Sequence, residues 1–133
     1  MYVLNARIIK QRMKGMEDNQ SKRQAIAQQY NEAFADLPIV TPRVTNGLNN
    51  NYHKYVIRFE DKDTRKRVKN ALNASIHYET PLSANGMYKN ATVRSDVCTA
   101  SKTAADTVIS LPIHAWLTKD EVLSIIDTIR REL

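Results

Sequence analysis

The first 37 residues carry apolar side chains at the three- and four-residue spacing of an α-helix, and this pattern constrains the fold most. Gly15 lies mid-pattern, where it weakens a helix by about 1 kcal/mol relative to alanine. We predict one long helix, or two helices end to end, over residues 3–34. Because residues 16–22 are nearly all polar, two apolar groups result, and each can pack against a different body. The first, called the N-terminal stripe, is Leu4, Ile8, Ile9, Met13 and Met16; the second is Ile26, Ala27, Tyr30, Ala33, Phe34 and Leu37.

Residues 52–59 alternate as a β-strand does, with successive side chains on opposite faces. Pro38 and Pro42 end the preceding helix, and an asparagine-rich loop leads into this strand. One predicted face carries His53, Tyr55, Ile57 and Phe59, and the other carries Lys54, Val56 and Arg58.

Helices and strands alternate through the rest of the chain. Asp61 or Asp63 can cap the next helix, and Asn73 suits its C-terminal turn. We predict strands at 75–78 and 108–111 and a helix at 96–107. A final helix follows a capping box, Thr118 with Glu121. This order allows a parallel sheet with helical crossovers.

Size and composition favour a single domain. The chain has 133 residues, of which 42% are hydrophobic and 26% charged. No apolar run approaches the roughly 20 residues that span a bilayer, and residue 1 is not followed by a secretory signal pattern. Cys98 is the only cysteine. We therefore expect a cytoplasmic protein without membrane segments.

The net charge of +6 is concentrated in two places. Residues 1–30 carry six basic and two acidic side chains, and residues 54–69 carry seven basic and three acidic ones. Such clusters can bind nucleic acid with steep salt dependence. However, aromatic residues are not interleaved with these charges and no nucleic-acid motif is present. We expect no nucleic-acid partner.

No complete catalytic or metal-binding set is visible in the sequence. His53, His77 and His114 lack the spacing of metal ligands. There is no glycine-rich phosphate loop and no nucleophile elbow. No lysine stands in a recognisable setting for pyridoxal phosphate. From the residues alone, the chain is a small binding or structural domain with no catalytic and no metal residues.

The stretch of residues 73–82 offers the best candidate for ligand contact. His77 and Tyr78 end a predicted strand, and Pro81 marks its exit into a loop. Strand ends facing loops are where folds often place ligand contacts. A structural pair that caps the core is the alternative, and the residues alone leave both open.

Four segments in order resemble the C-terminal small domain of the DegT/DnrJ/StrS family of PLP-dependent sugar-nucleotide aminotransferases. They cover most of the chain. The segments are residues 5–30, which resemble the interdomain helix; Tyr52-His53-Lys54-Tyr55; Ile76-His77-Tyr78 with Pro81-Leu82; and Ser110-Leu111-Pro112-Ile113-His114.

This resemblance implies an α+β fold. We expect a small three- to four-stranded, mainly antiparallel sheet covered by helices, as in the C-terminal domain of the aspartate-aminotransferase-like fold. This replaces the parallel arrangement. Residues 1–133 would form one domain, with residues 1–35 as the interdomain-type helix and residues 52–133 as the α/β sandwich core.

The resemblance also implies amino transfer to a nucleotide-linked keto sugar. His77 and Tyr78 would contact that substrate, with His53 and Tyr55 as second-tier contacts. The family's catalytic lysine, the acidic partner of the cofactor ring and the phosphate loop belong to a large domain that should precede residue 1. We therefore expect no PLP in this chain and no turnover by it alone.

Two functional hypotheses follow. The chain is a detached aminotransferase domain, or it is a stand-alone module that self-associates or complements a separate large-domain chain. The N-terminal stripe separates them, because the family packs this part of the helix on the large domain. Without that domain we expect the stripe to pair with a second copy or to fold back on its own domain.

Overall fold

The structure is a computed structural model that describes residues 2–45, 48–88 and 98–133. The chain alternates helices with short strands, as the sequence predicts. The elements are α1 (Val3–Met13), α2 (Met16–Ala33), β1 (Tyr55–Arg58), α3 (Lys62–Leu72), two short 3₁₀ turns (Leu82–Ala84 and Gly86–Tyr88), α4 (Thr99–Thr107), β2 (Val108–Leu111) and α5 (Lys119–Glu132). No helix in these ranges is long and apolar enough to cross a membrane.

The N-terminal segment is two helices, interrupted at Gly15. The N–H of Gly15 bonds to the carbonyl of Arg12 at 3.3 Å, which tightens the end of α1, and α2 begins at the next residue. α1 has no buried residue, whereas α2 buries Ile26, Ala27 and Tyr30. The stripe therefore does not fold back on this domain, and that half of the sequence-based expectation is wrong. The interruption and the polar residues after it let α1 extend away from the core.

β1 and β2 pair antiparallel, with Tyr55 opposite Leu111 and Ile57 opposite Ile109. The parallel arrangement is therefore wrong, and the antiparallel one implied by the resemblance is confirmed for this pair. A chain that alternates helices and strands can pair its strands parallel or antiparallel. The strand direction depends on which backbone segments pair, and the element order does not reveal that pairing.

The strand predicted at residues 75–78 is not formed. Only Ser75 joins the sheet, through an isolated antiparallel bridge in which the Ser110 N–H donates to the Ser75 carbonyl at 2.9 Å. The chain then turns, and the side chain of His77 contacts the Ser110 hydroxyl. At the other edge Val40 bridges Arg58. In the described residues the sheet has two strands plus these two bridges, short of the three to four strands expected.

The core lies between this sheet and helices α2, α3 and α5. Tyr30 of α2 stacks on Phe34 with ring centroids 5.7 Å apart, and it also packs on Tyr55. The Tyr30 hydroxyl donates to the carbonyl of Pro112 at 3.0 Å. This ties α2 to the segment after β2. The largest fully buried side chains are Tyr30, Tyr55, Phe34, Ile57, Ile109, Ile129, Val68 and Val122.

Helix ends follow the predicted caps. Asp61 caps α3, and Asn73 ends it in the left-handed conformation with φ 47°. Thr118 and Glu121 form the reciprocal capping box of α5. These local signals placed the helix boundaries correctly.

We expect Thr118→Ala to lower the free energy of unfolding by about 1 kcal/mol, the usual cost of a lost N-cap. The Thr118 Oγ1 accepts from the Glu121 N–H, which would otherwise lack an intrahelical partner. Urea denaturation at neutral pH measures the loss. Thr128→Ala is the control, because Thr128 lies within α5 and its hydroxyl donates to the Ser124 carbonyl instead of accepting from an N–H of the first turn. Equal losses in both variants would contradict the capping role.

The Asp61 cap predicts an acid-sensitive contribution to stability. Hydrogen bonds from the Thr64 N–H and hydroxyl, then from the Asp63 N–H, lower the pKa of Asp61 below its ordinary 3.8. Because the pKa of Asp61 is lower in the folded than in the unfolded chain, the ionised carboxylate stabilises the fold above pH 3.8. This contribution to the free energy of unfolding is lost as the pH falls through the pKa of the folded chain.

Asp61→Asn keeps a capping oxygen without a titrating carboxyl. We therefore expect the stability difference between the native chain and this variant to shrink as the pH falls below 3.8. Urea titrations at neutral and acid pH measure that difference. Asp127→Asn, on the exposed side of α5, controls for loss of one charge. A difference that is constant with pH would contradict the titrating cap.

Candidate functional site

His77 and Tyr78 lie in the turn that follows Ser75, at the outer edge of β2. His77 Nδ1 is 3.0 Å from Ser110 Oγ. The two aromatic rings meet edge to face with centroids 6.4 Å apart. Tyr78 is 79% exposed, so its ring is available to a ligand and contributes little to the core. The structural alternative, a pair that caps the core, therefore fits Tyr78 poorly.

Two clefts meet at His77. The first has a volume of about 300 Å³, and polar residues (His53, Lys54, Asn73, His77 and Ser110) line it together with apolar residues of the neighbouring segments. The second has a volume of about 560 Å³ and lies between the turn at residues 77–85 and α4. His77 lines both, so one imidazole faces two neighbouring recesses.

The polar side chains that line both clefts can all donate hydrogen bonds, and one of them, Lys54, is a cation. The first contains a lysine, two histidines and an asparagine, and the second contains Tyr78, Thr80, Asn85 and Ser101. No aspartate or glutamate is among the described residues that line either cleft. A ligand rich in oxygen acceptors or carrying negative charge fits this lining best.

His53 stands at the entrance to β1 and shares the first cleft with His77. Its N–H bonds to Asn51 Oδ1 at 3.0 Å, and the preceding Tyr52 adopts a left-handed φ of 45°. The loop is held to α2 because Arg23 Nε donates to the Asn51 carbonyl. These contacts present the exposed imidazole of His53 towards the cleft.

Tyr55 is placed differently from the other three candidates. Its side chain is fully buried, and its hydroxyl donates to Asn31 Oδ1 at 2.6 Å. Burial raises the pKa of the Tyr55 phenol, so it stays neutral. A contact with substrate would require this ring to leave the core. We therefore leave Tyr55 out of the proposed site, and its contact with a substrate remains a prediction.

Two residues of the site were given no role in the sequence analysis. Lys54 places its Nζ 5.5 Å from the centroid of the Tyr78 ring, within the range of a cation–π contact. Ser110 contacts His77. Both residues belong to segments that resemble the family, but a strand pattern does not show which side chain of another segment each residue contacts.

The second basic cluster is largely engaged within the fold. Lys62 pairs with Asp106 at 2.8 Å, and the buried Arg65 donates from Nε to the Asp106 carbonyl. Lys69 lies 3.8 Å from Glu79. These contacts leave fewer cations for an external polyanion than the sequence count implies. The expectation that no nucleic acid is bound remains a prediction.

Nothing among residues 2–45, 48–88 and 98–133 gathers three or more histidine, cysteine or acidic side chains into a metal-binding group. Among the described residues, Lys54 is the only lysine that lines either of the two clefts at His77. Its ammonium lies beside Tyr78, and no carboxylate among the described lining residues could serve the ring nitrogen of PLP. The described lining of these clefts therefore does not fit that cofactor.

Comparison with known proteins gives one consistent family. The family model described as the DegT/DnrJ/EryC1/StrS aminotransferase family matches residues 1–130. The chain is 25% identical over 130 residues to the erythromycin biosynthesis sensory transduction protein EryC1 of Saccharopolyspora erythraea, covering 96% of this chain and 36% of that protein. It is 27% identical over 142 residues to the spore coat polysaccharide biosynthesis protein SpsC of Bacillus subtilis, covering 98% and 36%.

Solved structures share the fold. A DegT/DnrJ/EryC1/StrS aminotransferase from Brucella abortus matches with a TM-score of 0.78 and 27% identity, covering 91% of this chain and 33% of that one. DesV of S. venezuelae, solved in complex with a ketimine intermediate, matches with a TM-score of 0.83 at 24% identity, covering 93% and 34%. The chain thus spans about a third of the length of the relatives that it matches.

Proposed function

Because this chain belongs to the DegT/DnrJ/EryC1/StrS aminotransferase family, we propose that it forms the C-terminal small domain of a PLP-dependent sugar-nucleotide aminotransferase. The observation that carries the proposal is a family match over residues 1–130 in a chain about a third as long as its relatives. The 133 residues alone do not transaminate in this proposal. The catalytic lysine, the partner of the cofactor ring and the phosphate cradle come from a large domain.

The proposed role of this domain is to supply one wall of the substrate site. His77 and Tyr78 are the main contacts, and His53 is a weaker one across the first cleft. Exposure of Tyr78, the convergence of both clefts on His77 and their donor-rich lining support this assignment. A nucleotide sugar offers the acceptors that such a lining suits: sugar hydroxyls and a negatively charged diphosphate.

The cofactor belongs, in this proposal, to the large domain. A Schiff base with PLP needs a lysine beside an acidic group for the ring nitrogen and a cradle for the phosphate. The clefts at His77 supply one lysine and no carboxylate among their described lining residues. We expect PLP added to the purified chain to give no saturable Schiff-base absorbance band at one PLP per chain, beyond the weak, non-saturating reaction of exposed lysines such as Lys22 and Lys62. A saturable one-to-one band would contradict the assignment of the cofactor to another domain.

Ligand titration tests the substrate role. We expect UDP-N-acetylglucosamine or dTDP-glucose to shift the backbone amide NMR signals of His53, His77 and Tyr78 in the labelled chain. We expect His77→Ala to weaken binding about tenfold or more, because a hydrogen bond to a charged group is worth about 1.5–3 kcal/mol. His114→Ala is the matched control, since His114 is exposed and lines neither cleft.

Two results would contradict the substrate role. One is no response to any nucleotide sugar, and the other is equal weakening by His77→Ala and His114→Ala. Either would favour the second candidate function, a stand-alone interaction module. The observation behind that candidate is the N-terminal stripe, whose five apolar side chains are 45–68% exposed.

A further inference from the structure

Ser110 is a buried polar residue whose backbone and side chain serve different partners. It is 7% exposed, in the middle of the sheet. Its N–H donates to the Ser75 carbonyl at 2.9 Å, and its position in the β1–β2 ladder is opposite Val56. The backbone therefore fixes Ser110 in the strand without help from the hydroxyl. What the hydroxyl contributes is its contact with His77.

The hydroxyl meets one ring nitrogen of His77. Ser110 Oγ lies 3.0 Å from Nδ1, and His77 Nδ1 is the only hydrogen-bond partner of this hydroxyl within the described residues. Which atom donates is decided by the hydrogen on Oγ. If Nδ1 donated, no group among the described residues would accept the hydrogen of this largely buried hydroxyl, which is costly. If the hydroxyl donates, its hydrogen is satisfied by the lone pair on Nδ1.

We propose that Ser110 is a positioning residue that donates its hydroxyl hydrogen to His77 Nδ1 and so holds the neutral imidazole as the Nε2–H tautomer. Nε2 is then a donor on the ring edge away from the sheet, where the ring lines both clefts. His77 presented in this way selects ligand acceptors: a hydroxyl, a carbonyl or a phosphate oxygen. This last step rests on the proposed function, whereas the tautomer itself does not.

The tautomer is measured directly by long-range proton–nitrogen NMR of the full chain, at a pH where the imidazole is neutral. We expect His77 Nδ1 to resonate as an unprotonated ring nitrogen and Nε2 as a protonated one. In Ser110→Ala we expect both nitrogens to move towards a common, averaged shift. Ser110→Thr keeps the hydroxyl and should keep the native pattern. His114 provides an internal reference, because its ring lies elsewhere, beside Trp116.

Two results would overturn the proposal: an Nδ1–H tautomer in the native chain, or an unchanged His77 spectrum in Ser110→Ala. A purely structural Ser110 would alter stability but leave the tautomer of His77 as it is. Urea denaturation of each variant separates these effects. Should Ser110→Ala fail to fold, His114 still provides the comparison, because that exposed ring shows only the intrinsic preference of imidazole for Nε2–H. The proposal requires the Nε2–H tautomer to be more fully populated in His77 than in His114, and equal populations would overturn it.

The effect of Ser110 on ligand binding is measured by titration with UDP-N-acetylglucosamine and with dTDP-glucose. We expect Ser110→Ala to weaken binding about two- to fivefold, because the apparent affinity falls with the fraction of chains whose imidazole is held in the binding-competent tautomer and orientation, and Ser110→Thr to bind as the native chain does. If the native chain binds neither probe, the proposed function fails while the tautomer measurement still decides the role of Ser110. If the native chain binds and Ser110→Ala binds equally well, the selection of acceptors by His77 is overturned.

Discussion

Tyr30→Ala is expected to lower the free energy of unfolding by about 3–5 kcal/mol, the range for truncating a large buried aromatic side chain. Tyr30 is 0% exposed and stacks on Phe34 with a centroid separation of 5.7 Å. Its hydroxyl also donates to the carbonyl of Pro112 at 3.0 Å. The variant therefore leaves a cavity between α2 and the sheet and removes the donor for that carbonyl.

A loss of this size is a large part of the total stability of a single domain, about 5–15 kcal/mol. Urea denaturation followed by circular dichroism measures it. Tyr30→Phe separates the two causes, because it keeps the ring and loses the hydrogen bond, at an expected cost of about 1 kcal/mol. Tyr2→Ala is the exposed control, since Tyr2 is 83% exposed at the start of α1.

A loss below about 1 kcal/mol in Tyr30→Ala would contradict the packing described here. It would mean that α2 is not fixed against the sheet. The same tyrosine carries the link from the N-terminal segment to the segment after β2, so that link would also be lost. Tyr30 therefore tests whether α2 belongs to the folded domain.

Local chemistry in the sequence predicted the helix ends and the buried face of β1. Asp61 and Thr118 cap helices because short polar side chains satisfy N–H groups within three residues of themselves. Asn73 tolerates a left-handed conformation for a similarly local reason. Tyr55, Ile57 and Phe59 are buried as their alternation predicts. Each of these signals is complete within a few residues of sequence.

Long-range pairing was not accessible from the pattern. The stretch at residues 75–78 has strand-like composition, but only Ser75 finds a backbone partner, 35 residues away at Ser110. The contact between His77 and Ser110 spans 33 residues, and that between Arg65 and the Asp106 carbonyl spans 41. No local signal specifies which distant group completes such a contact. The resemblance to a family supplied the antiparallel direction, and the residues themselves did not.

In the candidate site, too, some features follow from local sequence and others do not. His53 and His77 were chosen from family segments, and the structure brings both to one cleft. Tyr55 came from the same segment as His53 and was predicted on the same face. The strand begins only at Tyr55, so Tyr55 is buried with Ile57, whereas His53 precedes the strand and is exposed. The strand pattern already placed Tyr55 on one face with Ile57. Periodicity therefore predicted the burial of Tyr55, and the contacts of His77 and Tyr55 with a substrate remain predictions.

The exposed N-terminal stripe gives the other large expected effect, on association. All five of its side chains are at least 45% exposed, and α1 has no buried residue. Apolar side chains in such a row mark a surface that another chain or domain covers. We propose that a large domain covers it in a full-length enzyme and that a second copy covers it when this chain is alone. The isolated chain should therefore sediment as a dimer or larger species at micromolar concentration.

The double variant Ile8→Gln with Met13→Gln tests this surface. Ile8 is 45% and Met13 60% exposed, so their replacement leaves the core unchanged. We expect the dissociation constant to rise at least about tenfold, because burying one such side chain contributes about 1.5–3 kcal/mol. Analytical ultracentrifugation measures the shift. Lys10→Gln with Lys14→Gln is the matched control, since it introduces the same side chain in the same segment outside the stripe.

The outcome tests the stripe under both candidate functions. Self-association that the stripe variant abolishes and the lysine variant retains would identify the stripe as the surface through which this chain meets a partner. A strictly monomeric native chain, with the stripe solvated, would contradict the pairing of two copies and would remove the observation that supports the stand-alone interaction module. The proposal of an aminotransferase small domain would remain, because it rests on the family match over residues 1–130 and not on self-association.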